Sequence, residues 1–271
     1  MGLRIFNNVD AVNAHRHLQT SNALASKAME RLSSGLRINR AADDAAGLAV
    51  SEIMRSRIRG ETVAMRNAED GVSLVQVADG AMGSAIDMLQ RVRDLAVQAS
   101  NGTLTSGQRA NLQTEVTAVL AEVDATGTNT EFNTQQILNS SYQGTIQVGA
   151  SSGQVVTFQT TTVSAGALGV SGIDVGTMTG AQAAIASIDA AISTLTTNRA
   201  QMGAVQNRLE QVISRLGVTT ENLSAAESRI RDADMALEMV SFTKAQILQQ
   251  SGTAMLAQAN QAPQSVLSLL R

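Results

Sequence analysis

Apolar residues return at every seventh position from Ile188 through Leu195, Met202, Leu209, Leu216 and Leu223 to Ile230, without a break. A heptad repeat lays one narrow apolar stripe along a helix, and that stripe needs other helices to cover it. At about 1.5 Å per residue the run makes a rod about 60 Å long. Such a rod suits an elongated assembly better than a compact enzyme domain. A weaker stripe starts near Ile5, where Ala11, Ala14, Leu18, Ser21, Ala25, Ala28 and Leu32 alternate steps of three and four until Ser33-Ser34-Gly35 breaks the helix.

Asp43 or Asp44 can cap a second helix that runs from Ala45 to about Ser100. It carries two adjacent seams: Leu74, Ala78, Ala81, Ala85, Met88, Val92 and Leu95, and beside them Val72, Val75, Met82, Ile86 and Leu89. Two seams predict more than one helical neighbour. Asn101-Gly102-Thr103 reads as a turn, followed by a helix over 106–124 with Leu112, Val116, Val119, Leu120 and Val123 inward. Between Gly127 and Gly176 the chain turns rich in Thr, Ser and Gly, and Thr145–Val148 and Val155–Phe158 predict one or two β-hairpins. The heptad helix opens near Thr179, and Asp232-Ala233-Asp234 starts a last one whose stripe is Ala245, Leu248, Gly252, Met255, Ala259, Ala262, Val266 and Leu269. Chain ends are ordinarily frayed and polar, yet Val266, Leu267, Leu269 and Leu270 stand within the final six residues. The expected fold is mainly α: an elongated, coiled-coil-like rod of long antiparallel helices, with a small β-hairpin region in mid-chain.

Composition sharpens this picture. Of 271 residues 44% are hydrophobic but only 2% aromatic, so a core must be built from Ala, Val, Leu, Ile and Met, side chains suited to close helix contact rather than to pockets. A single proline, Pro263, leaves the long helices uninterrupted. The net charge of −3 and dispersed basic residues argue against nucleic acid as the partner. No cysteine is present for a disulfide or thiolate site, and no window approaches a membrane span or a cleaved secretion signal. No cofactor is implied. His15 and His17, two apart on a helix, cannot chelate one metal. Asp232 and Asp234 lack the Gly and distal Glu of a calcium loop and read as helix caps. No catalytic triad spacing or phosphate loop occurs, so an enzyme is not expected.

The terminal stripes raise an energetic question. A buried methylene contributes about 0.8 kcal/mol, while ordering a residue costs roughly 1–2 kcal/mol. Two Ala- and Gly-rich helices therefore lack the burial to hold each other in place. The missing stabilisation is expected from identical chains, with the ends folding on assembly. Contacts that run head to tail without closing generate a helical filament.

The residues also carry a family resemblance. Leu32-Ser33-Ser34-Gly35-Leu36-Arg37-Ile38-Asn39 with Asp43-Asp44-Ala45-Ala46-Gly47, then Asn67-Ala68-Glu69-Asp70-Gly71 and Leu89 to Leu95, resemble the amino-terminal half of bacterial flagellins. Ser228 to Asp234, Ala245-Gln246-Ile247-Leu248-Gln249-Gln250 and Leu256-Ala257-Gln258-Ala259-Asn260-Gln261 resemble the carboxyl-terminal half. The resemblance implies a short flagellin without outer mid-chain domains. Residues 1–44 and 232–271 would be the two halves of an inner-tube domain, and 45–178 with 179–231 the surrounding rod. It implies polymerisation through Leu18, Ala25, Leu32, Leu248, Met255, Ala259, Val266 and Leu269, and rod packing through Leu74, Met88, Leu95, Ile188, Leu195, Met202, Leu209 and Leu216. The implied partners are many copies of the same chain, flagellar cap and hook-associated proteins, and an export chaperone, with no nucleic acid and no membrane. The implied location is the extracellular filament, reached by type III export without a cleaved signal peptide. Gln90, Arg91, Leu95 and Glu115 match the contact made with the vertebrate Toll-like flagellin receptor, and Leu267, Leu269 and Leu270 a segment sensed by cytosolic receptors. Two alternatives stand beside this reading, a hook–filament junction protein and a coiled-coil scaffold; the latter should lack these motifs. Gly203 and Gly217, within the heptad helix, are candidates for small sliding shifts.

Overall fold

The computed structural model describes residues 8–139 and 142–269, with side chains to residue 261. Helix α1 (Val9–Ser34) opens where Asn8 Oδ1 accepts the Ala11 amide at 3.0 Å. It ends at Gly35, whose φ of 72° returns its N–H to the Arg31 carbonyl at 2.8 Å. Helix α2 (Ala45–Ala99) is capped by Asp44, whose Oδ1 accepts the Gly47 amide at 2.9 Å. Helix α3 (Ser106–Asn129) starts in a capping box, with Thr105 and Gln108 satisfying each other's backbone amides.

α3 runs past the 106–124 span that its sequence predicts. The Thr and Gly residues there look like loop formers, but Thr126 and Thr128 return their hydroxyls to carbonyls four residues back. Gly127 is buried against the Val163 carbonyl. Packing overrides local propensity at this helix end.

Two hairpins follow. β1 (Glu131–Phe132) and β2 (Gln135–Gln136) are joined by Asn133 and Thr134, both at positive φ, as a type I′ turn requires. β3 (Gln143–Gln147) and β4 (Val155–Gln159) pair antiparallel with Ile146 opposite Val156, in the segments read from the sequence as strands. Residues 160–177 are irregular yet bury Val163, Ala165, Leu168, Val170 and Val175. Two α3 side chains tie them down: Asp124 accepts the Ala165 amide at 2.7 Å, and Gln113 both donates to the Ile173 carbonyl at 3.0 Å and accepts the Val175 amide at 2.6 Å. Helices α4 (Met178–Arg231) and α5 (Met235–Leu269) complete the chain.

Packing divides the chain into two compact units, Met1–Ser56 with Asn222–Arg271, and Arg57–Glu221. The expected divisions at 44/45 and 231/232 follow helix caps, whereas these fall inside α2 and α4. The ends of those helices are held within the first unit by Arg231–Glu52 and Arg55–Glu227 ion pairs. The second unit holds nearly all the core: both α2 seams meet α3 and the heptad stripe of α4, and Ile188, Leu195, Met202, Leu209 and Leu216 are buried. Arg199–Asp79 and Arg93–Asp189 ion pairs record the antiparallel register of α2 and α4. Leu74 and Leu95 are buried in the same core and Met88 packs half-buried against it. A methyl group added at Gly203 or Gly217 would meet nothing within 4 Å, so neither glycine is demanded by packing within one chain.

Candidate assembly surface

α1 and α5 lie antiparallel in the first unit. Asn8 donates to the Ala259 carbonyl at 2.7 Å, Gln249 donates to Asn22, and Arg31 pairs with Glu238 at 2.8 Å. Between them the buried side chains are small: Ala28, Ala245 and Ser21, whose hydroxyl donates to the His17 carbonyl of its own helix. Leu18 sits over Gly252, where an added Cβ would lie 3.3 Å from Leu18 Cδ1. Small residues let the helices close, but they remove little apolar area from water.

The large apolar side chains point elsewhere. Val9, Val12, Leu24 and Met29 of α1 are exposed, as are Met235, Leu237, Met239, Val240, Ile247, Leu248 and Met255 of α5. Val240 and Ile247, 65% and 57% exposed, stand seven apart on α5 and share one face. They line an open apolar groove of about 450 Å³ with Met239, Thr243, Lys244 and Leu248. A second groove of about 510 Å³ runs between the helices past Ala14, His17, Gly252 and Met255. The second groove is partly polar, whereas the first continues a row of exposed apolar side chains of the kind that marks protein–protein contact.

The residues singled out for polymerisation divide by exposure. Leu18, Ala25, Leu32 and Ala259 are half-buried between α1 and α5, and Leu248 and Met255 are exposed. The side chains of Val266 and Leu269 lie outside the described residues, as do those of Leu267 and Leu270. Leu237, Val240 and Ile247 were not in the sequence-derived set. They fall off the three-four stripe, and their signal was the second apolar row beside it.

The joint between α1, α4 and α5 is closed by backbone and charge. Arg37 N donates to the Arg231 carbonyl at 2.7 Å and Ala233 N to the Gly35 carbonyl at 2.9 Å, making a short antiparallel bridge between Leu36 and Asp232. Asp234 Oδ1 caps α5 by accepting the Ala236 amide at 2.9 Å, as the cap reading of that residue expects. Lys27 beside Asp43, at 2.6 Å, holds that carboxyl below the ordinary carboxylate range, and Arg231 does the same to Glu52. A carboxyl with a depressed folded pKa stabilises the fold above its unfolded pKa, and that stabilisation is lost as pH falls through the folded value. Glu52 is solvent-exposed and Asp43, half-buried, is paired with an exposed lysine, so the effect is small. We expect the protection of residues 35–45 against hydrogen exchange, relative to the intrinsic rate at each pH, to drop as pH falls below the ordinary Asp value of 3.8, and Asp43→Asn to flatten that dependence.

A second surface lies in the other unit, on the α2–α3 hairpin. Arg91 reaches Glu115 Oε1 through Nε at 3.0 Å and Nη2 at 2.6 Å, above an open groove lined by Asp87, Met88, Ala118 and Val119. Gln90 is exposed beside them. Leu95, assigned to this patch as well as to the packing seam, is only 2% exposed. One turn beyond Arg91 its side chain has rotated into the core, so it packs beneath the patch and is not available at the surface.

The chain matches the bacterial flagellin N-terminal helical region over residues 5–143 and the C-terminal helical region over residues 185–270. It is 48% identical to a flagellin of Halalkalibacterium halodurans over 98% of this chain and 99% of that one. It is 46% identical to the flagellar filament 33 kDa core protein of Treponema phagedenis, again over 98% and 99%. Among solved structures, the crystal structure of Bacillus cereus flagellin is similar at a TM-score of 0.50 and 28% identity, covering 60% of this chain and 94% of that one. A flagellar hook-associated protein from Vibrio parahaemolyticus shares the fold at a TM-score of 0.58 and 11% identity, over 70% and 100% of the two chains.

Proposed function

The chain belongs to the bacterial flagellin family, structural proteins of the flagellar filament, and from that premise we propose that α1 and α5 are the elements through which its copies pack. One observation carries this reading. The α1–α5 pair leaves most of its large apolar side chains in water and buries mainly Ala and Ser. Identical chains laid side by side would cover those faces, and successive copies joined without closure would extend a helical tube. Leu18, Ala25, Leu32 and Ala259 would set the spacing of the helix pair, and Leu248 and Met255 would meet neighbours. The working location is the extracellular filament, reached through the flagellar export channel without a cleaved signal, with cap, hook-associated and chaperone proteins as transient partners.

A junction protein between hook and filament is the rival reading, since the two classes share a fold. Identities of 44–48% over nearly the whole length of proteins named flagellin favour the main filament. Seeding purified chain with filament fragments separates the two in the electron microscope. Long tubes grown from the seeds are the expected result, and seeds that stay short would favour the junction protein.

The Arg91–Glu115 patch supports a second use as a contact for the Toll-like flagellin receptor, made by Gln90, Arg91 and Glu115 with Leu95 bracing them from within. Arg91→Ala in the monomer should cut receptor activation at least about tenfold, the range of a lost interfacial Arg. Unchanged activation would remove this assignment.

A further inference from the structure

Asn101-Gly102 is the one Asn–Gly pair of the chain, and it occupies the turn between α2 and α3. Two Asp–Gly pairs, Asp70-Gly71 and Asp79-Gly80, lie in the middle of α2, where each glycine nitrogen is engaged in the helical ladder. Gly102 differs on every count. It is exposed, nothing lies within 4 Å of where its Cβ would be, and no hydrogen bond from its N–H is formed among the described residues. Asn101 is exposed too, and its Oδ1 accepts the Thr103 amide at 3.2 Å. That hydrogen bond turns the carboxamide forward, over the Gly102 peptide, and draws electron density from Cγ. A free backbone nucleophile, an unhindered glycine and a polarised carboxamide stand together.

We propose that Asn101 is a site of spontaneous deamidation. Gly102 N, once deprotonated, attacks Asn101 Cγ; the N–Cγ bond forms, the Cγ–Nδ2 bond breaks and ammonia leaves with the proton. Water then opens the five-membered imide. Attack at Cγ yields an aspartyl residue, and attack at the main-chain carbonyl yields an isoaspartyl linkage. No oxidant or reductant enters.

The products act on a defined contact. Arg109 closes the turn by donating through Nε to the Ala99 carbonyl and through Nη2 to the Asn101 carbonyl, both at 2.9 Å. The aspartyl product adds a carboxylate beside this guanidinium and keeps the backbone. The isoaspartyl product inserts a main-chain carbon, turns the carbonyl that Arg109 holds into a free carboxylate outside the main chain, and displaces the path into α3.

The test is incubation of the purified full-length chain at mildly alkaline and mildly acidic pH. Tryptic peptide 94–109, in which Asn101 is the only asparagine, is then followed by mass and by isoaspartyl-specific labelling. The expected result is replacement of one side-chain amide by a carboxyl, faster in alkali and ahead of every other asparagine-containing peptide. Gly102→Ala should slow it roughly tenfold, because a Cβ hinders approach of the nitrogen, and the isoaspartyl fraction should melt at a lower temperature than the starting chain. An intact Asn101 in the folded chain, while the same residue converts in the unfolded chain, would overturn the proposal. So would conversion at an unchanged rate in Gly102→Ala.

Discussion

Val240→Asp combined with Ile247→Asp should abolish filament growth and leave the monomer's helix content and melting temperature unchanged. Both side chains are more than half exposed in the single chain, so placing a carboxylate there removes little packing within it. In an assembly that covers the groove they line, each change forfeits about 1.5–3 kcal/mol of apolar burial. Each also adds the cost of desolvating an unpaired charge, which is several kcal/mol more. Two such losses in every subunit raise the critical concentration at least about 100-fold, since each 1.4 kcal/mol is a factor of ten. Sedimentation and electron microscopy with wild-type seeds measure this directly. Filaments forming at the wild-type concentration would show that the α5 face is not an interface. A monomer that also unfolds would show that the face is packed within the chain.

Gly127→Ala should have the largest effect on the second unit. A Cβ at this position falls 1.7 Å from the Val163 carbonyl oxygen, a backbone atom. The segment carrying Val163 has little freedom to retreat. Val163 N donates to the Leu138 carbonyl at 2.8 Å, and two residues on, Ala165 N is held by Asp124 at 2.7 Å. Either α3 bends or these bonds break while Leu138, Val163 and Ala165 lose contact. Overpacking of this kind costs about 2–4 kcal/mol, a fall in melting temperature of roughly 5–15 °C for a unit of this size. Gly203→Ala supplies the opposite sign: with nothing within 4 Å of its Cβ, it should stabilise α4 by about 0.5–1 kcal/mol. Paired thermal melts check both. A Gly127→Ala protein that melts with the wild type would mean that α3 and residues 160–177 are not in contact.

The contrast between these glycines shows where reading from sequence stops. Local sequence sets Gly127 among loop-forming Thr residues and Gly203 within a heptad, yet it is the loop-like position that packing makes intolerant of a side chain. The cause is a carbonyl 36 positions along the chain, the difference between 127 and 163. Ile137 and Leu138 follow the same logic. They are fully buried, yet in sequence they are two apolar residues within a polar stretch, too few to establish a period.

Sequence alone determined that the five helices exist, several of their caps and the side of each that carries apolar residues, because these depend on residues within a few positions of one another. Gly35 ends α1, Asp44 and Asp234 start their helices, and the heptad from Ile188 to Leu216 is buried throughout. The motifs from Leu32 to Gly47 and from Ala245 to Gln261 sufficed for the family as well. Tertiary structure alone decided which apolar row meets which neighbour. It turned Leu95 inward while leaving Arg91 outside, left Val240 and Ile247 uncovered, and bound residues 160–177 to Gln113 and Asp124. Periodicity orients a side chain about its own helix axis, but what stands opposite is set by chain segments far away in sequence, and no local pattern encodes it.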